Sequence, residues 1–292
     1  MRSLLAVLLA IALVAGQSSG QPSDLHGGKQ ITIDVPATAP AGSLELSQTK
    51  RPAYEQDRDV PHGKLAAMAY ESKVTGARRV AQIYTPPGDH PAPLPVLYLL
   101  APAGEDETAW VTQGRINVIL DNLIADKKVR PLIAVMPSPR APANADLPTN
   151  WIETDLLESL LPQVQKRYPA ASAAILGVGA GGQQALSTGL REGSEFAAVI
   201  AISPTLEADT PKTLGQLAEK PPTPARLIWL GASRREKDFP ALNALHERLT
   251  KNKVSHIWKS LDGGATWPLW RAQMPEILTR LAPATPAETQ TK

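Results

Sequence analysis

From residue 96 onward, short unbroken apolar runs alternate with longer amphipathic stretches, and no other feature restricts the fold as much. The runs at 96–100, 132–136, 173–176, 198–202 and 227–230 contain no charged residue and do not alternate polar with apolar. A strand that is apolar on both sides must be covered on both sides. Helical spacing appears at 116–127, 151–168, 183–192, 242–251 and 269–281, with a further strand at 256–261. Strands joined by helices of this length read as an α/β fold, a mostly parallel sheet with helices on both faces. The runs at 65–70 and 79–84 have no helix between them, so the first two or three strands are expected to be antiparallel. A lone alternating stretch at 31–35 reads as one more strand, and 36–61 as mostly loop.

Composition removes several classes of function. Thirty Lys and Arg face 28 Asp and Glu, a formal charge of +2 without a basic cluster, which argues against nucleic acid as a partner. The chain has no cysteine, so disulfides, a thiol nucleophile and thiolate metal sites are excluded. Zinc-protease, Walker and EF-hand patterns are also missing, and neither a metal nor a cofactor is expected. The Gly-rich run at 177–182 does not match the dinucleotide fingerprint.

Met1-Arg2-Ser3 precedes an apolar run ending at Val14, and small residues lead to Gly16-Gln17. The run is too short to span a bilayer and reads as a signal peptide over 1–16, cleaved near Gly16/Gln17. The expected location is therefore secreted or periplasmic, without a membrane anchor. A polar leader and extension is expected over 17–58, one α/β domain over 59–282, and a frayed Pro-containing tail over 283–292.

The run at 173–176 leads into Gly177-Val178-Gly179-Ala180-Gly181-Gly182 and then a helix, the strand–turn–helix context of a nucleophile elbow. Around it stand Val60-Pro61-His62-Gly63-Lys64, Tyr84-Thr85-Pro86-Pro87-Gly88, Gln113-Gly114-Arg115 and, near the end, Gly263-Gly264 with Trp270. In this order the stretches resemble the secreted feruloyl and acetyl-xylan esterases of carbohydrate esterase family 1, related to the esterase D group. The resemblance implies an α/β-hydrolase fold and a Ser-His-Asp triad for carboxylic-ester hydrolysis.

The positions that match the family's triad carry other residues. Gly179 stands at the serine position, Arg234 at that of the acid and Ala265 at that of the histidine. Glycine has no group to attack an ester, alanine accepts no proton, and arginine repels an imidazolium. An oxyanion-hole remnant is expected at Ala101, Gly104 and Ala180. The chain thus reads as a degenerate member, a pseudoesterase. Its old cleft is expected to hold a polysaccharide or another small glycan or aromatic ligand, walled by Trp151 and Trp267 with Arg234 and Arg235 at the edge. Trp110 and Trp270 read as packing residues. Two other readings stand beside this one: a protein-interaction or structural role on an esterase scaffold, and a hydrolase with a relocated site. Ser203 and Ser233 end strands and would serve the last, though a turn or cap role suits them too.

Overall fold

The computed structural model describes residues 51–284, apart from 144, 149, 193–194, 208–209 and 220–224. The expected signal peptide, the leader up to residue 50, the strand at 31–35 and the tail from 285 lie outside the described residues.

Eight strands form one sheet: β1 Lys64–Glu71, β2 Arg78–Thr85, β3 Val96–Leu100, β4 Ile133–Pro137, β5 Ala173–Val178, β6 Ala198–Ile202, β7 Leu227–Ser233 and β8 Ile257–Leu261. Their spatial order is β1-β2-β4-β3-β5-β6-β7-β8. β1 and β2 pair antiparallel, β2 pairs antiparallel with β4, and every pair from β4 to β8 is parallel. The antiparallel expectation therefore holds for β1 and β2, while the third strand, β3, joins the parallel set.

The helices are α1 Ala109–Thr112, α2 Ile116–Ala125, α3 Trp151–Asp155, α4 Leu161–Arg167, α5 Ala180–Arg191, α6 Thr210–Glu219, α7 Phe239–Lys251 and α8 Trp267–Leu281. The single helix expected over 151–168 is interrupted. A π-helical segment, Leu156–Leu160, separates α3 from α4. Such an insertion shifts which side chains face the sheet.

Side chains along each parallel strand alternate between two cores. Val96, Tyr98 and Leu100 of β3 join one core, together with Val164 of α4, Leu186 of α5 and Leu245 of α7. Leu97 and Leu99 join the core beneath α1, α2 and α8. Every residue of β3, β4 and β6 is buried, and this two-sided burial is why these runs are apolar throughout. β1 lies at the sheet edge and exposes most of its residues, keeping Met68 and Tyr70 inside.

The close fit of α5 against the sheet accounts for two of the glycines in 177–182. A Cβ on Gly177 would meet the Gly181 carbonyl oxygen, and one on Gly181 would meet the backbone at Leu100 and Ala101. Side chains at either place would push the helix off the strands.

Candidate functional site

In an open parallel sheet the ligand crevice lies outside the carboxyl ends of the strands, where the strand order reverses. Here β3 has β4 on one side and β5 on the other, so the reversal places Ala101 beside the turn that follows β5. Gly179 forms that turn, with φ 58° and ψ −127°, before α5 begins at Ala180. This backbone region favours glycine, and a non-glycine residue there carries strain.

The turn is pinned from both neighbouring segments. Gly179 N–H donates to the Ile202 carbonyl at 3.2 Å, and Thr205 N–H donates to the Gly179 carbonyl at 3.0 Å. A Cβ on Gly179 would sit 3.0 Å from Pro102 Cβ and 4.0 Å from Thr205 Oγ1. Ala101 is buried in the core, Ala180 is half-buried and Gly104 is exposed. The start of α5 lies against the Ala101 carbonyl. Ala101 and Ala180 are thus brought together, whereas the Gly104 carbonyl accepts a hydrogen bond from Arg140 Nη2 at 3.2 Å.

The positions taken for acid and base are at the surface. Arg234 is exposed, and its Nε donates to Ser260 Oγ at 2.9 Å. Arg235 is exposed and donates its backbone N–H to Ser233 Oγ at 3.2 Å. Ala265 is exposed, just after Gly263 at φ 125°.

Trp267 requires a correction. The expected ligand wall is only 2% exposed. Its ring meets those of Trp110 and Trp270 edge to face, with centroids 5.2 Å apart in both pairs. At the first turn of α8 it faces the sheet, so it belongs to the same core as the two tryptophans read as packing residues. Trp151 is half-buried, and the Arg79 guanidinium lies over its ring 4.5 Å from the centroid. The two tryptophans do not form one wall.

Arg79 fastens this end of the sheet. Its Nη1 pairs with Asp155 Oδ2 at 2.6 Å, and Nη2 donates to the Ser138 carbonyl just past β4. Tyr70 Oη donates to the same carboxylate oxygen at 2.7 Å, and burial drives the Tyr70 hydroxyl well above its ordinary pKa. Nearby, Glu153 is 7% exposed and burial pushes its pKa up to about 7, with the Arg191 guanidinium opposing and Glu207 reinforcing the shift.

One pair escaped the sequence reading. Ser203 follows β6 in a left-handed conformation, φ 49°, and its hydroxyl donates to Glu236 Oε1 at 2.7 Å. Burial raises the Glu236 pKa, the hydrogen bonds from Ser203 and the Ser233 backbone lower it, and Asp238 raises it. Ser203 was visible as a strand-ending serine, but nothing in the spacing links it to a residue 33 positions away. Ser233 has the turn role expected of it, its hydroxyl accepting from the Arg235 N–H two residues on, and it also donates to the distant Gly263 carbonyl.

The described histidines stand elsewhere. His62 Nδ1 lies 3.0 Å from Asp121 Oδ2, and His90 Nε2 lies 3.0 Å from the Pro87 carbonyl. Both line a cavity of about 640 Å³ at the amino ends of β3 and β4. His246 stacks on Trp258, with centroids 5.2 Å apart, and its Nδ1 is 2.7 Å from Nε2 of His256, one residue before β8. Among the described residues, no group of three or more His, Asp or Glu is arranged to hold a metal ion.

A family model for esterases matches residues 72–281. The chain belongs to the esterase family. It is 30% identical over 168 residues to an endo-1,4-beta-xylanase/feruloyl esterase of Xylanibacter ruminicola, an alignment covering 52% of this chain and 23% of that protein. The match therefore spans about a quarter of that relative's length. The fold is similar to a ferulic acid esterase of carbohydrate esterase family 1 from Anaeromyces mucronatus, solved with ferulic acid. The TM-score is 0.66 at 20% identity, covering 81% of this chain and 97% of that one. The enterobactin esterase of Shigella flexneri gives a TM-score of 0.66 at 23% identity, covering 82% and 64%. The mostly parallel eight-stranded sheet is that of the α/β-hydrolase esterases.

Proposed function

We propose that this esterase-family chain is exported, does not hydrolyse esters, and holds a plant cell-wall glycan or a related aromatic ligand. The observation supporting the non-catalytic part is the placement of the histidines. Ester hydrolysis by a serine needs a base within about 3 Å of the nucleophile. Among the described residues His62, His90, His246 and His256 all lie away from the Gly179 turn, two beside the amino-end cavity and two paired with each other. Gly179 itself offers no nucleophile. The ligand class draws support from a relative whose name carries xylanase and feruloyl esterase. With Trp267 in the core, Trp151, Arg234 and Arg235 are what remains of the expected wall. Export rests on the apolar run that precedes Gly16-Gln17.

The test is hydrolysis of p-nitrophenyl acetate and methyl ferulate by the purified mature chain, alongside thermal-shift titration with xylan oligosaccharides. The expected result is no turnover above heated protein and a melting temperature that rises with oligosaccharide. Turnover would end the non-catalytic reading, and a flat titration would end the glycan reading.

A second reading is favoured by Ser203 and Glu236. A hydroxyl 2.7 Å from a carboxylate of raised pKa is the geometry of a nucleophile and its base. Against it, Ser203 is only 3% exposed. If ester turnover is found and Ser203→Ala abolishes it, the relocated hydrolase is the better account.

A further inference from the structure

A second cavity, of about 450 Å³, opens at the amino ends of β3, β5, β6 and β7, beneath the last turn of α8. Its size is that of a site for a small organic molecule. The space exists because the strands carry small residues where they pass under the helix end. Ala174 and Ala198 occupy positions that Leu97 fills on β3, and all three face the α8 side of the sheet. The floor is therefore apolar and already formed.

The rim is basic. Arg130, Arg226 and Arg280 line the cavity, and no Asp or Glu does so among the described residues. The three come from separate elements that backbone bonds hold in place. Arg130 N–H donates to the Ala282 carbonyl at 3.0 Å, which fixes its loop to the end of α8. Arg226 N–H donates to the Ala197 carbonyl at 2.9 Å, on the opposite side. Arg280 pairs with Glu276 one turn back, at 3.1 Å. Neither Arg130 nor Arg226 has a carboxylate partner among the described residues.

An arginine near a helix C-terminus is ordinarily explained by the helix dipole. Arg280 meets that explanation by itself. Arg130 and Arg226 lie outside α8, and two further guanidinium groups around an apolar hole exceed what the last turn of one helix calls for. An apolar floor with planar cationic donors at its mouth matches a ligand with an apolar body and one carboxylate, since guanidinium engages carboxylate through two parallel hydrogen bonds. We infer that this cavity binds an aromatic carboxylate, ring inward on Ala174 and Ala198, carboxylate between Arg130 and Arg226. The site is at the opposite end of the sheet from Gly179 and does not depend on the function proposed above.

The probe is 2-naphthoate, with uncharged 2-naphthamide as its counterpart, titrated calorimetrically into the full chain at low salt. The expected result is saturable binding of naphthoate and binding of naphthamide weaker by about tenfold, ~1.4 kcal/mol. The double substitution Arg130→Gln, Arg226→Gln should weaken naphthoate by about tenfold or more and leave naphthamide unchanged. Both arginines are exposed, so the variant should melt with the native protein. Ala174→Leu should abolish the binding of both probes by filling the floor. The inference is overturned if naphthoate does not saturate, if the two probes bind alike, or if either variant binds naphthoate as the native chain does.

Discussion

The two ends of the parallel sheet use their charged and polar side chains in opposite ways. At the carboxyl ends these groups are tied to other parts of the chain. Arg79 is committed to Asp155 and the Ser138 carbonyl, Arg140 to the carbonyls of Gly104 and Glu105, Ser203 to Glu236, and Arg234 to Ser260. At the amino ends lie the cavities of about 640 and 450 Å³, with His62 61% exposed and Arg130 and Arg226 without carboxylate partners among the described residues. The end where α/β proteins place their ligands is braced, and the other is open and basic. Family membership and fold point to the carboxyl end as the place for chemistry, and the local pairing of groups adds which side chains at each end are already engaged.

The sharpest way to break this contrast is Arg79→Met. Asp155 is buried, and without the guanidinium its charge is uncompensated, so stability should fall by about 3–5 kcal/mol in urea unfolding. If Arg79→Met, Asp155→Leu recovers much of that loss, the pair braces its end mainly by mutual neutralisation.

A smaller effect should appear in the pH dependence of stability. Glu153 has a folded pKa of about 7 against an ordinary 4.5, so between these values the folded state binds a proton that the unfolded state does not. Its contribution is fully present below 4.5 and lost as pH rises to about 7, on the order of 3 kcal/mol in all. Glu153→Gln should flatten the slope across that window, and an unchanged slope would assign it elsewhere.

Gly179→Ser comes next. The left-handed turn and the approach to Pro102 should lower stability by about 1–3 kcal/mol. No turnover of p-nitrophenyl acetate should appear, because no described histidine stands near. Ester hydrolysis by this variant would show that a base serves the turn after all.

At the amino end, His62→Ala should matter least. Asp121 keeps hydrogen bonds from Gly63 N–H and Tyr84 Oη at 2.9 and 2.7 Å, and the lost partner is largely in solvent. A change below about 1 kcal/mol is expected in the same unfolding assay. A larger loss would mean that this end too is braced by its ionisable groups.

Much of the architecture could be read directly from the residues. β3 and β6 begin and end where the apolar runs do, because Pro95 precedes one and Ser203-Pro204 follows the other. β7 runs three residues further than its apolar run, through Gly231 to Ser233, because pairing with β8 continues after the side chains change character. α6 was missed altogether. Its sequence has only a short apolar stripe, Leu214 and Leu217 in ten residues interrupted by Gly215, and Pro211 in its first turn is the other signal of a helix start. The interruption at Leu156–Leu160 leaves no mark that periodicity detects, since the apolar residues on either side still fit one helix.

The site was less legible because it depends on contacts between distant segments. A tryptophan on a ligand and a tryptophan in a core are the same letter, and only α8's approach to the sheet places Trp267 among Trp110 and Trp270. The glycines at 177–182 were legible as a strand–helix turn because their reason is local. Ser203 with Glu236, and the arginines around the second cavity, join segments that sequence spacing does not relate.

Gly179 also determines how reversible the arrangement is. At φ 58° every step from glycine to a side chain begins with a loss of stability, and the first such step brings no base with it. Serine-type ester chemistry at this turn would need nucleophile and base together, from elements as far apart in the chain as the β5 turn and the loop before α8. Any single side chain placed at this turn starts with a cost in backbone strain and crowding by Pro102, so the turn resists change one residue at a time.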